Sequence, residues 1–201
     1  NYTTPIVIEA AGKLQMVFCG CELITSLDPL TGKKLWEVPG STQECVSTLV
    51  TDGTHIFVSG GWPKNHTAAI VADGSGKVAW QNTARVYVPS MLIRDGFLYV
   101  TRDAGFAICW DAKTGRPQWK ERLGGAFFTS PVMVGNRIYG TNLDGKTFVF
   151  EVNPKEFKPI ATNQLGDEVY ASPVVSGERL YLRVAFKDGE RREYLYAIGG
   201  K

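Results

Sequence analysis

The chain has 201 residues, a formal net charge of +2 and 44% hydrophobic residues, enough to bury a substantial core and too balanced in charge to point to a nucleic-acid partner. No apolar run approaches the roughly 18 residues of a membrane span, so direct membrane insertion is not expected. Four cysteines are too few for a disulfide framework at this length, whereas 22 glycines and 10 prolines suit an all-β chain with many tight turns.

The sequence begins on strand-like residues at Asn1, without an initiator Met, a charged n-region or an apolar h-region. That start suggests a segment of a longer chain, whose address cannot be read from a signal. The strings YTTPIV, CVSTLV, VPSMLI, TSPVMV and ASPVVS recur, and aligned on Pro5, Thr48, Ser90, Pro131 and Pro173 they are 43, 42, 41 and 42 residues apart. A fixed period near 42 marks a repeat architecture, which a β-sandwich has no reason to show.

The elements repeat one grammar. In the first unit, residues 1–43, the strand containing TTPIV meets the turn in GKLQ, then QMVFC and ELITSLD follow as second and third strands, and LDPLTGKKLW turns into a fourth that ends in Trp36. The second unit, 44–86, runs CVSTLV, DGTH, HIFVSG, the long connection GWPKNHT, AAIVAD and a looser turn VADGSGKVAW. The third, 87–127, runs VPSMLI, RDGF, FLYVT, FAICWD and WDAKTGRPQW. The fourth, 128–169, has TSPVMV, VGNR, RIYGT and TFVFEV, then FEVNPKEFKPIATN, which lacks the tryptophan. The fifth, 170–201, has ASPVVS, SGER, RLYLRV, the connection FKDGERREY and EYLYAI, with no fourth strand. Four short strands and four turns in about 40 residues are the signature of a β-propeller blade. The expected fold is five such blades, the last incomplete.

In three units a glycine precedes a tryptophan by four residues: Gly32 and Trp36, Gly76 and Trp80, Gly115 and Trp119. Asp28 and Asp111 open two of these turns, and in the second unit Ala72 stands where the aspartate belongs, with Asp73 one place late. Glycine supplies a positive φ, aspartate bonds the turn amides, and the tryptophans are expected to be largely buried between blades.

This D-x-x-T-G-x-x-x-W turn, with a [TS]-P-[VI]-V strand opening a unit, resembles the PQQ-like repeat propellers. That family includes the quinoprotein alcohol dehydrogenases and the propeller lipoprotein of the bacterial outer-membrane assembly machine. The resemblance implies a ring of seven or eight blades, completed by blades of the same chain upstream of Asn1. It also implies a bacterial, periplasmic or otherwise extracytoplasmic setting.

With the first strand innermost, two sets of turns share the funnel face of such a ring. Turns entering first strands bring Glu44, Cys45, Arg85, Tyr87, Phe128 and Tyr170, and connections between second and third strands bring Cys19, Cys21, Trp62, Lys64, His66, Arg102, Asp103 and Asn142. From these, Glu44, Trp62, Lys64, His66, Arg85, Tyr87, Arg102, Asp103 and Tyr170 are the candidate binding residues. The inserted connections Gly60–Thr67 and Phe186–Glu193 are the most individual parts of the face. The first offers an aromatic with polar neighbours, which suits recognition, and the second mixed charges, which suits a solvated hairpin.

Cys19 or Cys21 could pair with Cys45 as a disulfide in an oxidising compartment. Cys19, Cys21, Cys45 and His66 form a formal metal set, although C-x-C is tighter than the usual zinc spacing, so no metal is expected. Cys109, inside a third strand, reads as a small buried hydrophobe. The triplets at Asn1–Thr3 and Asn65–Thr67 fit glycosylation acceptors, a reading that a bacterial family disfavours.

The methanol-oxidising members of the family use adjacent cysteines, a Glu and Asn calcium site and an Asp base. None of these can be carried over by motif: the nearest match is CGC at 19–21. No catalytic residue and no cofactor are therefore expected. The expected function is a binding or scaffolding propeller that engages a protein or a carbohydrate. Part of a dehydrogenase holding PQQ and calcium is the first alternative, and the sensor propeller of a membrane-linked kinase or regulator the second.

Overall fold

In the computed structural model, which describes residues 2–199, the repeat becomes a row of antiparallel meanders, and no helix occurs among those residues. The first sheet is β1 (Ile6–Ala10), β2 (Lys13–Gly20), β3 (Leu23–Leu27) and β4 (Lys34–Pro39). The second is β5 (Val50–Thr51), β6 (His55–Gly60), β7 (His66–Val71) and β8 (Val78–Asn82). The third is β9 (Leu92–Arg94), β10 (Phe97–Arg102), β11 (Phe106–Asp111) and β12 (Pro117–Arg122), and the fourth β13 (Val132–Val134), β14 (Arg137–Thr141), β15 (Lys146–Glu151) and β16 (Pro159–Gln164). The fifth has three strands among the described residues, β17 (Val174–Ser176), β18 (Arg179–Phe186) and β19 (Arg192–Ile198). Strands follow chain order in every sheet.

Burial shows how the sheets are arranged. First strands of neighbouring sheets approach one another, β5 with β9 and β13 with β17, so they lie innermost. The fourth strands β12 and β16 are almost wholly exposed and lie outermost. In β6, β7, β10 and β11 the central residues are buried on both faces, because a sheet lies on either side. Phe57, Leu98, Tyr99 and Ile138 are among the side chains fully removed from water, each contributing about 1.5–3 kcal/mol. The outermost sheets differ. β1 alternates, with Val7 57% exposed, and β19 is exposed along its length.

Each tryptophan works at a boundary between sheets. Trp80 of β8 donates its indole N–H to the carbonyl of Ala112, 2.7 Å away on the next sheet, and Trp119 of β12 does the same to Asn153 at 2.7 Å. Gly115 has φ of 68°, and a Cβ there would fall 2.5 Å from the ring of Trp80. The turn glycine therefore serves its own backbone and leaves room for the neighbour's indole. Trp36 lies against Gly74 in the same manner, but its N–H goes to Gln15 Oε1 at 2.6 Å within its own sheet.

All three tryptophans are intermediate in exposure, most of each residue lying out of water, as expected. One expectation needs correction: they sit in the middle of their strands, not at the end, because pairing runs on to Pro39, Asn82 and Arg122.

A bulge falls at the same place in four sheets, where the third strand pairs with the fourth: Ser26/Leu27, Ala69/Ile70, Cys109/Trp110 and Val149/Phe150. Aspartate organises the turn that follows. Asp28 Oδ1 accepts from the amides of Leu30 and Thr31 at 2.9 Å, and Asp111 Oδ1 from the amide of Thr114 at 2.8 Å. These amides hold the Asp28 carboxyl below the usual range. Asp73 accepts from Ser75 N at 2.8 Å, so its late position costs the turn one residue and not its bond. In the fourth sheet Asn153 accepts from Lys155 N at 2.9 Å, and Phe157 packs against Trp119 at 5.4 Å.

A second tie runs along the inner strands. The amides of Thr48, Ser90 and Ser130 donate to the hydroxyls of Ser90, Ser130 and Ser172, each at 2.9 Å. Ser90 is therefore equivalent to Ser130 and Ser172 rather than to Pro131 and Pro173, a shift of one residue from the alignment on letters. The hydroxyl caps an inner-strand amide that has no partner inside its own sheet.

Trp80→Ala should lower stability by about 2–3 kcal/mol, below the 3–5 of a fully buried aromatic, and Gly115→Ala should destabilise the same boundary. Urea unfolding of the purified chain checks both. Unchanged midpoints would mean that the indole does not hold the second sheet to the third.

Candidate binding face

The connections between second and third strands and the segments entering first strands meet on one side of the second and third sheets. Gly60 pairs with His66 and Phe186 with Arg192, so the inserted connections are shorter than expected and His66 is a strand residue. Trp62 is fixed by its backbone: its carbonyl accepts from Glu44 N at 3.1 Å and from Thr42 Oγ1 at 2.8 Å. Its side chain is 53% exposed. Trp62 thus keeps about half of its surface in solvent on an anchored main chain.

Beside it lies a connected polar group. Tyr87 donates its hydroxyl to Glu44 Oε2 at 2.5 Å, which, with burial and the carboxylate's charge, pushes the phenol up to about 12. Asp103 Oδ2 accepts from Tyr87 N at 2.9 Å and Oδ1 from Val88 N at 3.3 Å. Arg102 Nε donates to the carbonyl of Arg85 at 2.8 Å, and the Arg85 guanidinium lies over the Tyr87 ring, 5.3 Å from its centre. Gly61 is needed for this closeness, since a Cβ there would fall 2.4 Å from Tyr87. Glu44, Trp62, Arg85, Tyr87, Arg102 and Asp103 therefore form one continuous surface across two sheets.

The remaining candidates lie apart from that group or inside the fold. Tyr170 and Phe128, both exposed, pair with ring centres 6.5 Å apart. Tyr170 bonds Glu168, which ion pairs with Arg191 at 2.9 Å and Lys187 at 3.4 Å. Arg191 above all holds the Glu168 carboxyl below its usual range. Arg191 also pairs with Glu193 at 2.7 Å, so the second connection is a self-satisfied ionic hairpin. Asn142 is buried and turns inward, its Oδ1 accepting from the amides of Asp144 at 3.1 Å and Lys146 at 2.9 Å. It is a turn residue, not a binding one.

Lys64 and His66 line a cleft of about 770 Å³ with Glu22, Ser41, Thr42 and Gln81. His66 Nε2 lies 3.2 Å from Gln81 Oε1, while its Nδ1 is buried and bonds nothing among the described residues. Cys19 and Cys45 are buried beneath the face and Cys21 is exposed, all three as thiols. Among the described residues no three His, Cys, Asp or Glu side chains are grouped to hold a metal ion, so Cys19, Cys21, Cys45 and His66 do not assemble as ligands. Cys109 is buried against Tyr99 as expected, and burial pushes its thiol up to about 12. The triplet at Asn1–Thr3 starts outside the described residues. Ser41, Thr42 and Gly61 were missed by sequence reasoning; only the paired glycines of SGGW hinted at a close approach.

The inward first strands, the bulged Trp turn and the hydroxyl tie repeat from sheet to sheet, as the blades of a β-propeller do. Residues 64–155 match the family model described as outer membrane protein assembly factor BamB, which bears out the resemblance read from the repeat. The fold matches BamB from Moraxella catarrhalis with a TM-score of 0.71 at 14% identity, covering 90% of this chain and 55% of that one. The chain thus spans little more than half the length of that protein. No curated protein sequence matches significantly, and 1143 solved chains share the fold, so fold alone does not choose a function.

Proposed function

We propose that this chain is part of a non-catalytic binding propeller that engages a protein partner through the face carrying Trp62. The observation that carries the reading is the exposed Trp62 on a backbone anchored by Thr42 and by Glu44, whose carboxylate is bonded to Tyr87. Tryptophan, tyrosine and arginine are the side chains that dominate protein interfaces, and a main chain fixed before binding loses little entropy on docking. A protein is favoured over a carbohydrate because the matched family model is described as an outer membrane protein assembly factor. The same likeness supports a bacterial periplasmic setting.

Both outer faces of the row expose apolar side chains: Val7 and Leu14 on the first sheet, and Val174, Leu195 and Ile198 on the fifth. Faces of this kind are covered in a closed propeller. Further blades of the same protein complete the ring, to seven or eight in all. The 55% share of the matched BamB chain fits that count.

A photo-crosslinking residue at Trp62, introduced into the full-length protein in its native host, should trap a specific protein partner. The same residue at Asn136, in the turn between β13 and β14, should not. Equal trapping at both positions, or none at Trp62, overturns the reading. No quinone takes part in this function: PQQ with calcium should leave the melting midpoint of the purified chain unchanged and give no reduction of an electron-acceptor dye. A saturable shift or turnover would favour a dehydrogenase.

A further inference from the structure

The boundary between the fourth and fifth sheets is built unlike those before it. Between the third and fourth, Trp119 packs against Tyr99 of its own sheet, with ring centres 6.2 Å apart, and against Phe150 and Phe157 of the next, at 6.2 and 5.4 Å. Trp36, Trp80 and Trp119 pair with Ser26, Ala69 and Cys109, each immediately before the bulge of its sheet. In the fourth sheet the residue before the bulge is Val149, and its partner is Ala161. A methyl group therefore stands where the repeat elsewhere carries an indole. A second crossing side chain is replaced as well. Arg94, at the end of β9, donates across the boundary to the carbonyl of Gly135, and its counterpart at the end of β13 is Val134, which carries no donor.

A cavity of about 430 Å³ lies at this boundary. The fourth sheet lines it with Val134, Tyr139, Asn163 and Leu165, and the fifth with Leu180 and Leu182 among others. Register fixes its position. Tyr99 pairs with Cys109 and Tyr139 with Val149, so the two tyrosines are equivalent, and Asn163 stands two residues beyond Ala161 on the same face of β16. Tyr99 is 1% exposed beneath its tryptophan, whereas Tyr139 is only partly buried. The cavity thus occupies the space that aromatic rings fill one boundary earlier.

We propose that this cavity is a binding site for a small, flat molecule of fused aromatic rings, seated where the repeat elsewhere places its own indole. Its volume falls within the roughly 300–1,000 Å³ of small-ligand sites. Leu165, Leu180 and Leu182 offer apolar walls to the ring faces, and Tyr139 a ring to pack against. The Asn163 amide can serve one polar substituent as donor or acceptor. Glu178 and Arg179 also line the space, and their opposite charges favour a neutral ligand over an ion. Glu178 lies in the turn between β17 and β18, at the opposite end of the strands from the connections that carry Trp62. The ligand and a protein partner on the Trp62 face can therefore be held together.

The probe is 2-naphthol, titrated into the purified chain with labelled leucine and valine methyl groups followed by NMR. The expected result is saturable binding that shifts Leu165, Leu180 and Leu182 and leaves Leu98, inside a filled boundary, unmoved. Ala161→Trp restores the indole, and should raise the melting midpoint and weaken binding on the order of tenfold or more. Shifts spread equally over Val7 and Leu14 of the first sheet, or Ala161→Trp binding as tightly as wild type, overturn the proposal. So does a full-length protein that fails to bind the probe, since another part of it then fills the space. The wild-type shifts stand on their own should the variant not fold.

Discussion

Strand pairing in this chain is made inside each sheet, so the sheets must be held to one another by side chains. That constraint explains why the repeat is written in tryptophan, glycine and serine. At the outer rim the indoles of Trp80 and Trp119 cross a boundary to a carbonyl in the next turn. At the inner rim the hydroxyls of Ser90, Ser130 and Ser172 cross another to an inner-strand amide. Between the two rims lie the buried residues of β6, β7, β10 and β11, whose apolar area supplies most of the cohesion. The polar ties add direction: they fix the angle and register at which two interchangeable faces meet.

The candidate binding face depends on the same geometry. Tyr87 enters the third sheet and Glu44 the second, and their bond exists only because the inner strands are held side by side. Asp103 spans a turn of the third sheet to reach the Tyr87 amide, so the aromatic and its acidic neighbour are set by two elements that cannot move independently. Trp62 gains its exposed position from Thr42 and Glu44, which take up its carbonyl and leave the ring to solvent. A rigid frame with an exposed aromatic is what a docking surface needs.

Much of this was legible in the sequence, because the Gly-to-Trp spacing and the period near 42 are local and repeat. The equivalence of Ser90 with Ser130 was not, since the prolines at 131 and 173 are more conspicuous letters than the serines before them, and only the hydroxyl bonds fix the register. Asn153 in place of the turn aspartate was hidden for a similar reason: an amide oxygen makes the same bond under a different letter. The three cysteines were placed on one face, but burial of Cys19 and Cys45 depends on the tilt between two sheets, which no linear spacing records.

Native-state hydrogen exchange of the chain tests most directly whether the flanking sheets, rather than the ladders within a sheet, carry stability. If they do, the amides of β6, β7, β10 and β11 exchange slowest and those of β17, β18 and β19 fastest, although all belong to paired strands. Equal protection of β6 and β18, each paired on both sides within its own sheet, would contradict the account, since the fifth sheet lacks the second neighbour among the described residues.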